Sequence, residues 1–446
     1  CFVMRQITDI FSPSNFILTN PVVTRVTIEE GGSNLINGFN NFLDDWKRLI
    51  TEQKPAGVEN FKPGKQVAAT KGKVVLRNRL IELIQYSPST DKVYKEPVLI
   101  IPAWIMKYYI LDLSPNNSLV KYLVDKGHTV FMISWKNPDS RDRDIGLNDY
   151  VKIGAFAALD AVSAIIPDTK IHTLGYCLGG TLLAIAAAAM AREGDNRLQS
   201  MTLLAAQTDF KEAGELMLFI DENQVDFLED LMWDQGYLDT AQMAGTFQML
   251  RSKDLIWSKM VNDYLFGQRR PMIDLFAWNA DATRMPYYMH SQYLRRLFLD
   301  NELSSGRYTI DDKTIVLTDI HVPVFLVATI KDHVAPWRSV YKFHLYSDAP
   351  EVVFALTSGG HNAGIVNEPS KSKRTYQIGA VRGGKYIDPD TWQETTPSHP
   401  GSWWVPWEEW LAKYSNPEKV DPPPVGNPEK GYYPLIDAPG IYILET

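Results

Sequence analysis

The chain has very little cysteine: of its 446 residues, only Cys1 and Cys177 carry a thiol. Two thiols cannot form the disulfide framework of a small secreted domain, and without a nearby histidine cluster they do not predict a zinc site. We therefore expect a reducing, cytoplasmic setting. No secretory signal precedes the first domain, but the sequence opens at Cys1 instead of a methionine, and we expect an upstream piece.

Long hydrophobic runs and an excess of positive charge are also lacking. The apolar run TLLAIAAAAMA (181–191) is shorter than the roughly 18 residues that cross a bilayer, so it predicts a buried core helix and no transmembrane segment. The formal net charge is −8 and no basic stripe occurs, which argues against a nucleic-acid partner. With 45% hydrophobic and 22% charged residues, the composition is typical of a globular protein with a substantial core.

Short apolar runs alternate with helical patterns over much of the chain. These runs are GKVVLRNRLIELIQY from residue 72, then 97–103, 129–135, 171–176, 201–206, 323–329 and 351–357. Continuous apolar strands separated by helices predict an α/β protein with a mostly parallel sheet covered on both faces.

The pattern also predicts a domain organisation. The predicted parts are a partial N-terminal helical segment (1–70), a first core part (71–207), a cap or lid insertion (208–304), and a second core part with a C-terminal tail (305–446). The insertion is rich in aromatic residues and helix formers, which favours a helical cap inserted between strands. The tail after His361, rich in Trp and Pro, predicts a surface wrapping with a loose linker.

The stretch GYCLGG places Cys177 between Gly175 and Gly179, after a predicted strand and before a predicted helix. This is the nucleophile-elbow spacing of the α/β-hydrolase fold, with Cys where Ser usually stands. The helix that follows would point its positive end at the sulfur and favour the thiolate. A buried, inert cysteine is the alternative, since free Cys is often a small core residue.

The residues that follow late strands supply partners for the thiol. In this fold the chain order is nucleophile, acid, histidine, which Cys177, Asp332 and His361 satisfy. His361 would take the proton and Asp332 would hold the imidazole in the right tautomer. Asp209, after the strand at 201–206, is the alternative acid. For the other histidines we expect structural or solvated roles.

An oxyanion would need backbone donors beside the thiol. We predict the N–H of Leu178, the residue after the nucleophile, and an N–H from the loop after the strand at 97–103. Trp104 and Ile105 are both candidates in that loop, of which Ile105 is our prediction. The residues alone leave the choice between them open.

Beyond this pattern, the chain resembles the polyhydroxyalkanoate synthases, most like the catalytic region of the short-chain, class I type. The strings that carry the resemblance are, in order, SPSNF with TNP, LIELIQY, PAWIMKYYILDL, SWKNPD, GYCLGG, LFAWNADATRMP, DHVAPW, GGHNAG and GSWWVPW. The catalytic Cys, Asp and His of that family fall on Cys177, Asp332 and His361. Any single string is weak evidence, but nine in the same order are specific.

The resemblance implies an acyltransferase that polymerises (R)-3-hydroxyacyl-CoA, with 3-hydroxybutyryl-CoA expected, into a polyester with release of CoA through a Cys thioester. It implies no metal or redox cofactor, because CoA is carried in by the substrate. It also implies a cytoplasmic place on polyester granules, bound to the growing chain. The aromatic composition of the insertion is the basis for expecting a homodimer through the cap. The alternatives are a thioesterase, esterase or depolymerase on the same scaffold, and a non-catalytic granule-associated subunit.

Overall fold

The computed structural model describes residues 2–240, 242–243, 245, 252–370, 373–381 and 386–446. The chain divides into two compact units. One contains Cys1–Lys62 and Asp239–Ala282, and the other contains Pro63–Leu238 and Thr283–Thr446. The segment predicted as a cap, 208–304, is thus distributed over both units. The domain boundaries predicted from the sequence are a different division and stay a prediction.

The α-helices of the described residues are, in chain order, α1 (Phe2–Ile10), α2 (Pro21–Glu29), α3 (Ser33–Ile50), α4 (Leu119–Asp125), α5 (Leu147–Asp149), α6 (Ala157–Ile165), α7 (Leu178–Arg192), α8 (Glu222–Gln235), α9 (Asp274–Asn279), α10 (Tyr287–Gln292), α11 (Trp337–Tyr341), α12 (Phe343–Tyr346), α13 (Pro389–Thr395) and α14 (Trp404–Lys413). Four segments are wound as π-helix: Tyr150–Phe156, Lys253–Trp257, Met260–Leu265 and Tyr293–Leu299. No helix in this part of the chain is both long and apolar enough to cross a membrane.

The strands within the same residues are, in chain order, β1 (Gly72–Arg77), β2 (Ile81–Tyr86), β3 (Val98–Ile101), β4 (Val130–Trp135), β5 (Ile171–Tyr176), β6 (Leu198–Leu204), β7 (Tyr237–Leu238), β8 (Met285–Pro286), β9 (Thr309–Ile310), β10 (Lys313–Thr314), β11 (Val324–Thr329), β12 (Val352–Thr357), β13 (Thr375–Val381) and β14 (Ser398–Pro400). Ten of them form one sheet in the order β1-β2-β4-β3-β5-β6-β11-β12-β13-β14, as far as the described ranges go.

The centre of this sheet is parallel. Strands β4, β3, β5, β6, β11 and β12 run in one direction, and β1, β2, β13 and β14 add antiparallel pairs at the two sides. Every residue of β3, β4, β5, β11 and β12 is buried, as expected for parallel strands covered on both faces. Because the carboxyl ends of parallel strands meet at one edge, the loops after β3, β5, β11 and β12 lie along the same edge. The predicted mostly parallel α/β fold is confirmed.

Helix α7 lies against the centre of the sheet, and its small side chains explain why it can pack so closely. Residues 178–190 are all buried, and most of them are Ala or Gly. Small side chains let the helix approach the strands closely while still removing apolar surface from water. Its first turn follows β5 after the single residue Cys177, so the packing of α7 fixes where that thiol lies.

The unit that contains the N-terminal helices is held by contacts between α3 and the π-helical segment 260–265. Asn34 Nδ2 donates to the Leu265 carbonyl at 2.8 Å, and Asn41 Nδ2 donates to the Asp263 carbonyl at 2.9 Å. A Cβ on Gly38 would lie 1.8 Å from the Tyr264 carbonyl oxygen, so only glycine permits this approach. Helix α3 thus lies within the N-terminal stretch for which a helical segment was predicted.

The prediction that the Trp-rich tail wraps the surface is wrong for residues 403–410. Trp403 and Trp407 have 0% exposure, and Trp407 Nε1 donates to Thr202 Oγ1 on β6 at 3.0 Å. Pro406 favoured a loop in the sequence pattern, but it lies in the first turn of α14. Backbone N–H groups in the first turn have no acceptor within the helix, so proline is tolerated there. This part of the tail belongs to the core beneath the sheet's central strands.

Candidate active site

Cys177 is the residue between β5 and α7, and its backbone is strained. It has φ 52° and ψ −123°, a conformation that side-chain-bearing residues rarely adopt. Its N–H donates to the Leu204 carbonyl of β6 at 2.8 Å, and its own carbonyl accepts the N–H groups of Gly180 and Thr181. The thiol is half-buried and not part of a disulfide. The local geometry is that of the predicted nucleophile elbow.

The glycines of GYCLGG are required by close approach of backbone to backbone. A Cβ on Gly179 would lie 2.2 Å from the Ile101 carbonyl oxygen, and one on Gly175 would lie 2.4 Å from the Cα of Gly180. Real Cβ atoms do not approach so closely, so a larger residue would push α7 off β3 or β5. The turn thus brings Cys177 directly beside the end of β3.

His361 and Asp332 come together from the loops after β12 and β11. His361 Nδ1 and Asp332 Oδ2 are 2.8 Å apart, so the ring donates this proton to the carboxylate. Asp332 is itself fixed: its Oδ1 accepts the N–H groups of Val334 and Ala335 at 2.9 Å each, and Oδ2 accepts Thr329 Oγ1 at 3.1 Å. The carboxylate can therefore hold one tautomer and one orientation of the imidazole.

The other ring nitrogen of His361 faces the thiol. Since Nδ1 is bound to Asp332, Nε2 is the ring nitrogen left for Cys177, which interacts with His361 closely enough to raise its pKa. Burial alone would lower the pKa of His361, but the facing Asp332 carboxylate and Cys177 sulfur outweigh it and hold the pKa well above its usual value of 6.5. The structure thus brings Cys177, His361 and Asp332 together in the order nucleophile, base and acid, an arrangement able to activate a sulfur nucleophile.

Asp209, the alternative acid, lies elsewhere. Its carboxylate accepts the Tyr346 hydroxyl, the Lys211 N–H at 2.8 Å and Asn301 Nδ2 at 3.3 Å. These bonds anchor the chain after β6 to neighbouring loops. The geometry places Asp332, and not Asp209, at His361.

Several of the remaining histidines fill structural positions. His172 is fully buried and its ring nitrogens lie 2.7 Å from Ser200 Oγ and 3.0 Å from Ser415 Oγ, and burial lowers its pKa to about 3. His128 is buried in front of Glu408, with Nε2 and Oε1 3.5 Å apart. Within the described ranges, no group of three or more His, Cys, Asp or Glu side chains is arranged to hold a metal ion.

The predicted oxyanion donors lie on two backbone segments that meet at the elbow. Leu178 is the first residue of α7, so its N–H has no acceptor within the helix. Ile105 lies in the loop after β3, whose start abuts α7 at Gly179, since a Cβ there would also be 2.5 Å from the Pro102 carbonyl oxygen. Trp104 of the same loop is buried against Trp135 and Tyr150. Both N–H groups stay predictions as oxyanion donors.

Sequence reasoning missed a bond between the neighbours of the two reactive residues. Tyr176 Oη donates to Asn362 Oδ1 at 2.7 Å, and the Tyr176 ring lies 5.5 Å from the His361 ring, centroid to centroid. Burial, followed by the charges of Cys177 and Asp332, raises the pKa of Tyr176 well above its usual value, which keeps the phenol protonated as a donor. The strand end and the histidine loop are therefore tied together. The only sequence signal for this bond was that Tyr176 and Asn362 are next to Cys177 and His361 in the chain.

Tyr293 is a second residue without a sequence signal. It opens the π-helical segment 293–299 and packs edge-on against Phe210 and Phe298, with centroids 6.2 Å and 5.2 Å away. Its pKa is raised by burial and then by the charge of Cys177, so its phenol lies within electrostatic reach of the sulfur. An aromatic side chain of the predicted cap therefore lies near enough to the thiol to feel its charge.

Two family models match the chain. The model described as "alpha/beta hydrolase fold" matches residues 96–368, and the model described as "Poly-beta-hydroxybutyrate polymerase (PhaC) N-terminus" matches residues 1–123. The first match, together with the strand order and the elbow, defines the class: this is a protein with the α/β-hydrolase fold, as predicted.

Curated relatives identify the family within that class. The chain is 43% identical to "Poly(3-hydroxyalkanoate) polymerase" of Methylorubrum extorquens, over 99% of this chain and 72% of the relative. It is 37% identical to "Poly(3-hydroxyalkanoate) polymerase subunit PhaC" of Cupriavidus necator, over 99% of this chain and 75% of the relative. The chain belongs to the poly(3-hydroxyalkanoate) polymerase family and is an acyltransferase, which confirms the predicted family. The class I assignment stays a prediction.

Proposed function

We propose that the chain polymerises (R)-3-hydroxyacyl-CoA into a polyester, with 3-hydroxybutyryl-CoA as the expected monomer and Cys177 as the covalent carrier. The single observation that carries the mechanism is the line of Cys177, His361 and Asp332 at the strained end of β5, in which Asp332 binds His361 and His361 interacts with Cys177. This line provides a nucleophile, a base and an orienting carboxylate. Each takes a distinct part in the two acyl transfers.

In the first transfer, the sulfur of Cys177 attacks the thioester carbonyl of the monomer while His361 Nε2 holds the thiol proton. The carbonyl oxygen becomes an oxyanion, for which the N–H groups of Leu178 and Ile105 are the proposed donors. The carbon–sulfur bond to CoA then breaks, and CoA leaves as a thiol with the proton from His361. The acyl group is now a thioester on Cys177.

In the second transfer, the hydroxyl of a hydroxyacyl group attacks the carbonyl of the Cys177 thioester. His361 takes the hydroxyl proton and returns it to the departing sulfur of Cys177. One oxoester forms and one thioester is lost, which runs downhill. Thioester-for-thioester exchange in the first transfer changes little in bond energy, so a sulfur nucleophile suits the loading step and an alcohol acceptor makes the sequence productive.

Water competes with the hydroxyl for the acylated thiol. Orientation of the acceptor and exclusion of water are the available means, and orientation alone can contribute about 7–11 kcal/mol. The aromatic residues around Tyr293 support a role of the predicted cap in covering the thiol. A homodimer through that cap, a cytoplasmic place on polyester granules, and catalysis without a metal or redox cofactor complete the proposal.

The experiment compares the protein with Cys177→Ala on 3-hydroxybutyryl-CoA, following free CoA thiol and insoluble polymer together. The protein should release CoA and form polymer, and Cys177→Ala should do neither. Release of CoA with only soluble 3-hydroxybutyrate would indicate a hydrolase instead. Polymer formation by Cys177→Ala at the rate of the unaltered protein would overturn the proposal.

A further inference from the structure

Two of the sequence strings that the catalytic line leaves unexplained meet at the loop after β3. The string LFAWNADATRMP contains Thr283 and Arg284, just before β8, and SWKNPD contains Asn137, just after β4. The N–H of Arg284 donates to Asn137 Oδ1 at 2.9 Å, which joins the two strings. Thr283 then reaches the third string, PAWIMKYYILDL, in which the candidate oxyanion donor lies.

Thr283 makes two hydrogen bonds to consecutive carbonyls of that loop. Its hydroxyl donates to the Trp104 carbonyl, and its N–H donates to the Ile105 carbonyl at 3.1 Å. Thr283 is 3% exposed, so water does not compete readily for either bond. One residue therefore fixes two successive peptide planes.

The orientation of these planes decides where the loop's N–H groups point. In a trans peptide the C=O and the following N–H are antiparallel, and the Trp104 carbonyl belongs to the same peptide as the Ile105 N–H. Because that carbonyl points at Thr283, the Ile105 N–H points away from Thr283. The same holds for the Met106 N–H, which shares a peptide with the Ile105 carbonyl.

The loop is also held at its far end. Lys107 is 3% exposed, and its ammonium donates to the Tyr442 carbonyl at 3.2 Å and to the Glu445 carbonyl at 2.6 Å. A buried ammonium needs such acceptors, so these bonds resist displacement. With Lys107 held there and the start of the loop abutting Gly179, rotation of the peptides at 104–106 is restricted by Thr283.

We propose that Thr283 is a positioning residue for acyl transfer: its hydroxyl bond to the Trp104 carbonyl aims the Ile105 N–H at the oxyanion that forms beside Cys177, and its N–H bond holds the next peptide in place. This inference rests on the proposed function, since it assigns the second oxyanion donor of that reaction. It also gives the string LFAWNADATRMP a role in the chemistry. The oxyanion exists only in the transition state and the tetrahedral intermediate, so the effect falls on rate and not on substrate binding.

The experiment uses Thr283→Val, which keeps the shape but removes the hydroxyl, and Thr283→Ser, which keeps the hydroxyl. Loss of one oxyanion donor commonly lowers kcat by about 100- to 1000-fold, so a misaimed donor should lower it by at least about tenfold. We expect Thr283→Val to show this loss with KM for 3-hydroxybutyryl-CoA within about threefold, and Thr283→Ser to retain most of kcat. Thr283→Ala replaces Thr283→Val if the latter does not fold.

The matched control is Thr173→Val. Thr173 is also buried, and its hydroxyl also donates to a carbonyl, that of Ser200 at 3.0 Å, but it lies inside the sheet. This variant should lose thermal stability and keep kcat. A second readout is inhibition by an aldehyde analogue of the substrate, which adds to the thiol as a tetrahedral hemithioacetal: Thr283→Val should weaken it by the same factor as kcat/KM.

Two outcomes would overturn the inference. One is a folded Thr283→Val or Thr283→Ala variant with kcat unchanged within twofold, and the other is a loss that appears equally in Thr173→Val. Failure of the proposed function is distinguishable, because the unaltered protein would then release no CoA or form no polymer.

Discussion

Asp332→Asn gives the sharpest test of how the histidine is oriented. In the structure, Asp332 Oδ1 accepts two backbone N–H groups, those of Val334 and Ala335, at 2.9 Å each. An asparagine must keep its carbonyl oxygen at that position, because its NH₂ group would otherwise face two donors. The NH₂ group therefore takes the place of Oδ2, 2.8 Å from His361 Nδ1.

This reversal changes the tautomer of the imidazole. A donor opposite Nδ1 forces Nδ1 to accept, and the ring proton moves to Nε2, the nitrogen that faces Cys177. His361 can then no longer take a proton from the thiol or from an incoming hydroxyl. In enzymes with the same arrangement, the wrong tautomer costs about 10⁴ in kcat, which corresponds to about 5 kcal/mol of transition-state stabilisation.

The assay measures CoA release and acyl loading for the protein, Asp332→Asn and Asp209→Asn. We expect a loss of about 10³- to 10⁴-fold for Asp332→Asn. Asp209→Asn should stay within about threefold, because the Asp209 carboxylate binds Tyr346, Lys211 and Asn301 and not His361. The reasoning is refuted if Asp332→Asn keeps more than a tenth of kcat, or if Asp209→Asn shows the larger loss.

Three further outcomes follow from the packing and the charges. Gly179→Ala should lose about 1–3 kcal/mol of unfolding free energy and much of the activity, because its Cβ would lie 2.2 Å from the Ile101 carbonyl oxygen; unchanged chemical denaturation would contradict that approach. Trp407→Ala should cost about 3–5 kcal/mol, since it empties a fully buried site and leaves Thr202 without its donor, and a loss below about 1 kcal/mol would argue against that burial. Because the folded-state pKa of His361 is raised, its stabilisation is complete below the unfolded pKa of about 6.5 and is lost as pH rises through the folded pKa. The melting-temperature difference between the protein and His361→Gln should therefore be largest near pH 6 and shrink toward alkaline pH, and a difference that grows with pH would contradict the sign.

The central sheet could be predicted from the sequence because its strands are buried on both faces. The run 171–176 coincides with β5, and 323–329 and 351–357 begin one residue before β11 and β12. Strand β6 begins at Leu198, before its predicted start at residue 201. The polar residues Gln199 and Ser200 interrupt the apolar run there, so the sequence pattern did not include the first residues of the strand. A continuous apolar run predicts that a strand exists more reliably than it predicts where the strand begins and ends.

The tail shows where composition misleads. The Trp- and Pro-rich composition of the tail suggested a surface segment, but Trp403, Trp407 and Trp410 recur at the spacing of one helix face and are buried. That periodicity was available in the sequence and indicated an amphipathic helix. The tryptophan face packs under the sheet, while Val405, Glu409 and Lys413, on the opposite side of the helix, are exposed.

Some parts of the candidate site could likewise be predicted from the sequence, and others could not. The elbow around Cys177 is a local arrangement, so its spacing and glycines were sufficient to predict it, and the order of Asp332 and His361 followed from the fold. The bonds of Tyr176 to Asn362 and of Thr283 to the loop after β3 join residues far apart in the chain. No local pattern encodes such a contact, and only the packed structure reveals it.

The most direct test of the central claim is the mass of the Cys177 peptide during turnover. The protein is mixed with 3-hydroxybutyryl-CoA, quenched in acid within the first turnovers, digested and analysed by mass spectrometry, with Cys177→Ser as the control. We predict a hydroxybutyryl or oligomeric adduct on Cys177 that forms as fast as CoA is released. Polymer formation without any such adduct on that peptide would contradict the account.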